Sequence, residues 1–359
     1  MKAAILRAFG SPLVVETMPD PVLGTGEVIV DVVATRVLSY ANEVFSGMRK
    51  YLIELPMVPG PGAIGRVRAV GPDATHLAAG DWVYCDPTVR SRDDAIAPDI
   101  TLQGWSARDQ GSLRLQKHFH DGSFAGQMRA PTENVKPIGA IDDADAAKWC
   151  ALGTLLVPYG GLLAANLQAG ETVLVSGATG NFGSAAVTVA LAMGAGCVIA
   201  TGRNDKMLAE LSRRFGSRVR PVKLSGDEND DRERMKETAP GPIDCVFDIL
   251  PPSVGAITVR AAAMAVRPYG RVVLMGGVGM LGGGDLALPY PWIMRNCVSI
   301  HGVWMYPPEA TIRLVGLVRA GLIDLDQFEL ATFGLDDVNR AVDHAAAHGG
   351  AFRMTVLRP

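Results

Sequence analysis

The residues with the most to offer chemically sit in one stretch, Glu171 to Gly183, which reads ETVLVSGATGNFG. An apolar run at Val173 to Val175 has the character of a buried parallel strand. Gly177, Gly180 and Gly183 follow it, and then comes an alanine-rich helical run, Ala185 to Met193. Glycine permits a tight turn and close backbone approach, while the first N–H groups of a helix, at its positive dipole end, suit an anion. Gly177, Thr179, Gly180, Asn181, Phe182 and Gly183 are therefore read as the cradle of a dinucleotide pyrophosphate, with turn and packing duty as the plainer alternative.

The next apolar strand, Cys197 to Ala200, ends in Thr201, Gly202, Arg203 and Asn204. At this point an NAD-binding chain carries an Asp or Glu that accepts hydrogen bonds from the ribose hydroxyls. Gly202 has no carboxylate to repel a 2′-phosphate, and the Arg203 guanidinium can grip one in a charge-assisted fork, with Lys206 adding charge. NADPH is the expected cofactor. Gly276 and Gly277, which close the strand Arg271 to Met275, and Asn204 join the expected cofactor-binding set.

These residues need a scaffold, and the composition allows one. The chain has 359 residues, 48% of them hydrophobic, with 41 glycines and a formal charge of −3, which fits two globular domains. The balanced charge leaves no footprint for nucleic acid or an anionic membrane, and no apolar run approaches a membrane span. The opening MKAAILRAFGSPLVVE reads as a strand rather than a signal peptide. Five scattered cysteines without C-x-x-C spacing point to reduced thiols and a cytoplasmic location.

Up to about residue 140 the chain is β-rich. Lys2 to Arg7, Leu13 to Thr17, Glu27 to Val33, Gly65 to Val70 and Trp82 to Cys85 each look like a strand bounded by turn residues. Pro87 to Gly122 is polar and aperiodic, long for a loop in a compact domain. From Asp142, where Asp142 to Leu152 is expected to be helical, helices and strands alternate. This is the α/β signature of a doubly wound parallel sheet. After Pro307 come two helical segments and a last strand, Arg353 to Leu357, which needs a partner and is expected to find it in the β-rich domain.

This order resembles the medium-chain dehydrogenase/reductase superfamily along its whole length. The resemblance rests on Gly60-Pro61-Gly62-Ala63-Ile64-Gly65-Arg66-Val67, Val70-Gly71, Gly80-Asp81-Trp82-Val83, Asp121-Gly122-Ser123-Phe124-Ala125 and the nucleotide turn. It implies a GroES-like domain over 1–141, to which 307–359 returns, and a Rossmann domain over 142–306, with the active site in the cleft between them. The departures carry information too. Zinc members have Cys where this chain has Leu38, a His-Glu pair where it has Pro61-Gly62, and a third ligand near Leu152 and Gly153, where Cys150 falls close but out of step. A catalytic zinc needs about three protein ligands, so no metal is expected. The segment 87–122 matches in length the lobe that holds a four-cysteine structural zinc, yet it has no cysteine, and its His118 and His120 are expected to be surface residues.

Without a Lewis acid, the resemblance implies the reaction of the zinc-free relatives, hydride addition to a double bond conjugated to a carbonyl or quinone. The proton donor implied is Tyr40, at the position of the zinc enzymes' proton relay, or Tyr51, which resembles the acid Tyr of enoyl reductases one residue out of register. Ser39 matches a pyrophosphate contact and Arg353 a basic residue near the cofactor. The alternatives are a zinc-independent carbonyl or alcohol oxidoreductase, or a non-catalytic NADPH-binding protein. A homodimer is expected through the edge strand Cys297 to Val303.

Overall fold

A computed structural model describes residues Met1–Pro359, which divide into two units: Met1–Gly153 with Leu325–Gly349 and Arg353–Pro359, and Thr154–Asp324 with Gly350–Phe352. The first unit opens with an antiparallel pair, β1 (Lys2–Ile5) and β2 (Val14–Thr17). The long strand β3 (Glu27–Val37) leads into a short helix, α1 (Ala41–Phe45), and then β4 (Ala63–Val70) and β5 (Trp82–Cys85). After these come three small strands, β6 (Thr88–Arg90), β7 (Ile100–Leu102) and β8 (Ser106–Ala107), and the helix α2 (Gln110–His118). β9 (Gln127–Pro131), β10 (Val135–Pro137) and α3 (Ala146–Trp149) complete the run.

Two findings differ from the sequence expectation. The stretch 87–122 is an ordered subdomain, a three-stranded antiparallel sheet with α2 beside it. Its helix escapes a periodicity search because its buried positions are the polar Ser112 and Gln116, while Asp109 caps it by accepting from the Ser112 N–H at 2.9 Å. The helix expected over Asp142 to Leu152 is instead a 3₁₀ turn, Asp143–Asp145, followed by α3, which buries Ala146, Ala147 and Trp149 and packs on β3 and β4.

In the second unit α4 (Leu152–Ala164) is buried on nearly every side and so has no amphipathic stripe by which to read it, and Pro158 lies inside it. The unit then alternates β11 (Thr172–Ser176), α5 (Asn181–Ala192), β12 (Cys197–Gly202), α6 (Asp205–Phe215), β13 (Val219–Lys223), α7 (Glu228–Thr238), β14 (Cys245–Asp248), α8 (Ala256–Ala263), β15 (Arg271–Leu274), α9 (Tyr290–Arg295), β16 (Ser299–Gly302) and α10 (Ala310–Arg319). Its six strands are all parallel in the order β13-β12-β11-β14-β15-β16. That is the doubly wound Rossmann arrangement, in which strand order reverses about the first strand, here between β11 and β14. Leu174, Ile199, Val246 and Val272 fill the layer under the helices.

The chain ends with β17 (Glu329–Gly334), α11 (Val338–His348) and β18 (Arg353–Arg358). β18 pairs antiparallel with β3 and parallel with β17, so the main sheet of the first unit reads β10-β5-β4-β3-β18-β17, with β9 also on β3. Val28, Val30 and Val32, at the two-residue spacing of one strand face, meet Ala63, Val67, Val83 and Met128 in its core. The fold is thus a GroES-like β domain together with a Rossmann sheet. No helix is long and apolar enough to cross a membrane.

Candidate functional site

The nucleotide turn is built by the second unit. β11 is buried at every residue and ends at Ser176; Gly177 then takes φ +89°, a region open to glycine at little cost. The Ala178 N–H donates to Thr201 O at 3.0 Å, which ties the turn to β12, and the Gly180 N–H donates to Gly177 O at 3.1 Å. Gly180 begins α5 without a side-chain cap, so the helix's first turn presents its positive end unmasked by a polar side chain from that position. A Cβ on Gly183 would lie 1.9 Å from Gly177 O, so only glycine lets the helix start this close to the strand. The Asn181 amide donates to Gly350 O at 3.0 Å.

At the end of β12, Gly202 is buried and Arg203 and Lys206 are exposed, neither of them in an ion pair. The Asn204 side chain caps α6 by accepting from the Met207 N–H at 3.2 Å, a structural duty that sequence reading did not foresee. Gly276 and Gly277 follow β15. A Cβ on Gly276 would meet Asp248 Oδ2 at 2.6 Å, and the Gly277 N–H donates to Leu250 O at 2.8 Å. Sequence reading also missed Asp248, which is 3% exposed and faces Ser176 across the β11–β14 ladder at the point where strand order reverses. Burial pushes its carboxyl up to about 6.

The first unit gathers the two tyrosines around a cation that sequence reading missed. Tyr40 ends the turn after β3 and heads α1. The Arg49 guanidinium stacks on its ring, 4.0 Å from the centroid, interacts electrostatically with Tyr51, and pairs with Glu43 Oε2 at 2.8 Å. Burial holds the Tyr40 phenol well above the ordinary tyrosine range; the neighbouring Tyr51 raises it further, and Arg36 and Arg49 pull it back. Tyr40 and Tyr51 thus form one cluster. The 87–122 subdomain supports it: Trp105, 2% exposed, packs edge-on against Tyr40 and Phe45, and the Ala107 N–H donates to Leu52 O at 2.8 Å.

Arg36 is the other missed residue, and the signal for it was a cation late in the mostly apolar run Val28 to Leu38. It is 7% exposed, and a Cβ on Gly153 would lie 2.7 Å from its Nε. Cys150 donates to Ala146 O, and burial pushes its thiol up to about 12. Gly62 O accepts from the hydroxyls of Thr35 and Ser123 at 2.9 and 2.8 Å. No three His, Cys, Asp or Glu side chains stand close enough to hold a metal ion. Ser39 is exposed and would touch a Cβ on Gly349, while Arg353 is paired with Glu329 at 3.2 Å across the β17–β18 ladder. His118 is paired with Glu27 at 2.8 Å and His120 with Asp121 at 3.0 Å.

The raised carboxyl of Asp248 has a consequence for stability. Between its ordinary value of 3.8 and about 6, the folded chain holds a proton at this site that the unfolded chain has lost, so stability falls as pH rises through that window and is level above it. Asp248→Asn abolishes this loss. The variant's stability relative to wild type should therefore rise by roughly 2–3 kcal/mol from pH 4 to pH 7. Thermal melts across this range check it, and a difference that does not vary with pH would contradict it.

Residues 24–140 match the family of alcohol dehydrogenase GroES-like domains, and residues 182–320 match that of zinc-binding dehydrogenases. Acryloyl-coenzyme A reductase of Metallosphaera sedula is 30% identical over 345 residues, which cover 92% of this chain and 94% of that protein. An alcohol dehydrogenase of Rhizobium meliloti is 34% identical over 212 residues, 58% of this chain and 60% of that protein. The crystal structure of AibC superposes with a TM-score of 0.82 at 23% identity, covering 100% of this chain and 96% of that one. With a GroES-like domain, a Rossmann sheet carrying a glycine turn, and a relative of matching length at this identity, the chain belongs to the medium-chain dehydrogenase/reductase superfamily, oxidoreductases that act on small molecules with a pyridine nucleotide.

Proposed function

We propose that the protein is an NADPH-dependent reductase that delivers hydride to a double bond conjugated to a carbonyl or quinone, without zinc. The observation that carries this reading is the set of side chains at the positions where zinc members bind metal. Leu38, Pro61, Gly62 and Gly153 offer no donor, the buried Cys150 keeps its proton, and the Arg36 guanidinium lies against Gly153. These residues do not fit a metal ion, and a buried cation beside them opposes a second one. Reduction of an activated alkene needs no Lewis acid if hydrogen bonds and one proton meet the charge on the enolate oxygen. The relative named for acryloyl-coenzyme A, an activated alkene, supports the same class of substrate.

The glycine turn suits a dinucleotide, since Gly183, where a Cβ would strike Gly177 O, lets α5 begin close against the end of β11 with its first N–H groups at the turn. Bound there, NADPH would supply the hydride. Gly177 to Gly183 hold the pyrophosphate, Gly202 leaves room beside the ribose, and Arg203 and Lys206, exposed and unpaired, bind the 2′-phosphate. Gly276, Gly277 and Asn204 complete the set in the second unit, and Ser39 and Arg353 are the residues of the first unit proposed to contact the cofactor. NADPH should bind more tightly than NADH by roughly 1.5–3 kcal/mol, and Arg203→Ala should erase most of that difference. Fluorescence titration with both nucleotides checks this; equal affinities in the wild type would overturn the assignment.

Tyr40 and Tyr51 donate to the substrate oxygen. Burial keeps Tyr40 protonated, and Arg49 links the two tyrosines through its interactions with both. A screen of enones, quinones, ketones and aldehydes with NADPH, with zinc measured on the same sample, tests the whole reading. Enones or quinones should turn over without stoichiometric zinc, and Tyr40→Phe should lower kcat by about 100-fold with NADPH affinity kept. Turnover of carbonyls alone would favour the reaction suggested by the relatives named alcohol dehydrogenases. Tight NADPH binding without turnover would favour a binding protein, and one zinc per chain would sink the metal-free mechanism.

All five cysteines are free, which fits a reducing compartment such as the cytoplasm. β16 forms an edge of its sheet, and Ile300 within it and Trp304 just beyond are 38% and 43% exposed. Pairing of this edge with a second copy would cover it, so a homodimer is expected in light scattering. A monomer at micromolar concentration would count against that.

A further inference from the structure

Gly202 is a glycine for a reason of space. Its φ lies outside the left-handed region, so the backbone there would accept any residue. A Cβ on it, however, would lie 2.4 Å from Thr179 Cγ2, 2.8 Å from Thr179 Oγ1 and 3.2 Å from Thr179 Cβ, and these are its three nearest atoms. Thr179 cannot readily step aside. Two of its three staggered positions carry heavy atoms, so only one rotamer turns a hydrogen toward residue 202, and the Cβ stays close in all of them. The backbone on either side is held, by Ala178 N–H to Thr201 O at 3.0 Å and by Gly180 N–H to Gly177 O at 3.1 Å.

We propose that Thr179 and Gly202 act as one selectivity device. Thr179 bars every side chain from position 202, the place from which a carboxylate would read the ribose hydroxyls of NADH, and so reserves that place for a 2′-phosphate beside Arg203. This rests on the NADPH reading above and adds Thr179 as its determinant. Any side chain at 202 pushes Thr179, and with it the pyrophosphate turn, so the first effect of filling the position is to weaken both nucleotides rather than to exchange one for the other. Reversal of cofactor preference requires that Thr179 be cut back as well.

The test measures Kd for NADPH and NADH on the purified full chain, in a cycle of Gly202→Ala, Thr179→Ala and the double variant, and in Gly202→Asp with and without Thr179→Ala. Gly202→Ala, which adds no charge, should weaken both nucleotides by about tenfold or more, and the same change made on Thr179→Ala should cost less than about threefold. Gly202→Asp alone should bind both poorly, and only Gly202→Asp with Thr179→Ala should bind NADH more tightly than NADPH. Wild-type affinities in Gly202→Ala, an equal cost on both backgrounds, or a clean reversal by Gly202→Asp alone would each overturn the proposal. If Gly202→Ala does not fold, recovery of folding in the double variant supports it, and failure of both overturns it. A wild type that prefers NADH removes the NADPH reading, while the alanine cycle still decides whether the two positions are coupled.

Discussion

The second unit depends on how closely one stretch of backbone folds over itself. Gly183 sits where a single methyl would be 1.9 Å from Gly177 O, so α5 begins immediately beyond β11 instead of after a wider loop. That approach sets the first turn of the helix over the carboxyl end of a fully buried central strand, beside the reversal of strand order where α/β sheets leave a crevice. Gly177 supplies the positive φ and β12 supplies the restraint through the Ala178–Thr201 hydrogen bond. The turn proposed to hold the pyrophosphate is made of backbone, and its precision comes from packing around it.

In the first unit the governing contest is between burial and charge at Tyr40. Two opposite unit charges about 4 Å apart attract by about 4 kcal/mol at an effective dielectric near 20, and two guanidinium groups, Arg36 and Arg49, favour the ionised form of this phenol. Desolvation nevertheless wins, and the net shift is upward. A phenol in that balance stays protonated at neutral pH, so it can donate a hydrogen bond to a developing oxyanion without first competing as a phenolate. The cation that stacks on Tyr40 also anchors Tyr51, and the subdomain at 87–122 fixes the segment through Trp105 and the Leu52–Ala107 pairing. The lobe serves here as a brace, through the Trp105 ring on one side and a backbone bridge on the other.

Much of the frame was legible in the sequence because it obeys simple periodicities. The parallel strands are short apolar runs between helices, the glycine turn follows one of them, and a lone final strand had to pair, which β18 does with β3. What escaped had no periodic signal. α4 is buried nearly all round, and α2 buries Ser112 and Gln116 in place of an apolar stripe. Arg49 was legible only as one basic residue in MRKY, since its importance lies in two rings and a carboxylate that the fold brings to it. Asp248 closes a strand in the ordinary way, and only the approach of Gly276 and its 3% exposure single it out.

Departures from a family pattern are easily read as losses, and two of them here are exchanges of volume. Near one expected ligand position stands Gly153, and the space a side chain would need is filled by the Arg36 guanidinium, a fixed positive charge lying close enough to bias a phenol. Where an NAD enzyme would carry a carboxylate stands Gly202, and Thr179 stands against the point where that residue's Cβ would be. In both places a glycine is the condition for a neighbour's side chain to stand where a Cβ would otherwise be. Restoring the missing residue alone would therefore not restore the missing chemistry. It would first have to displace the side chain that the glycine admitted.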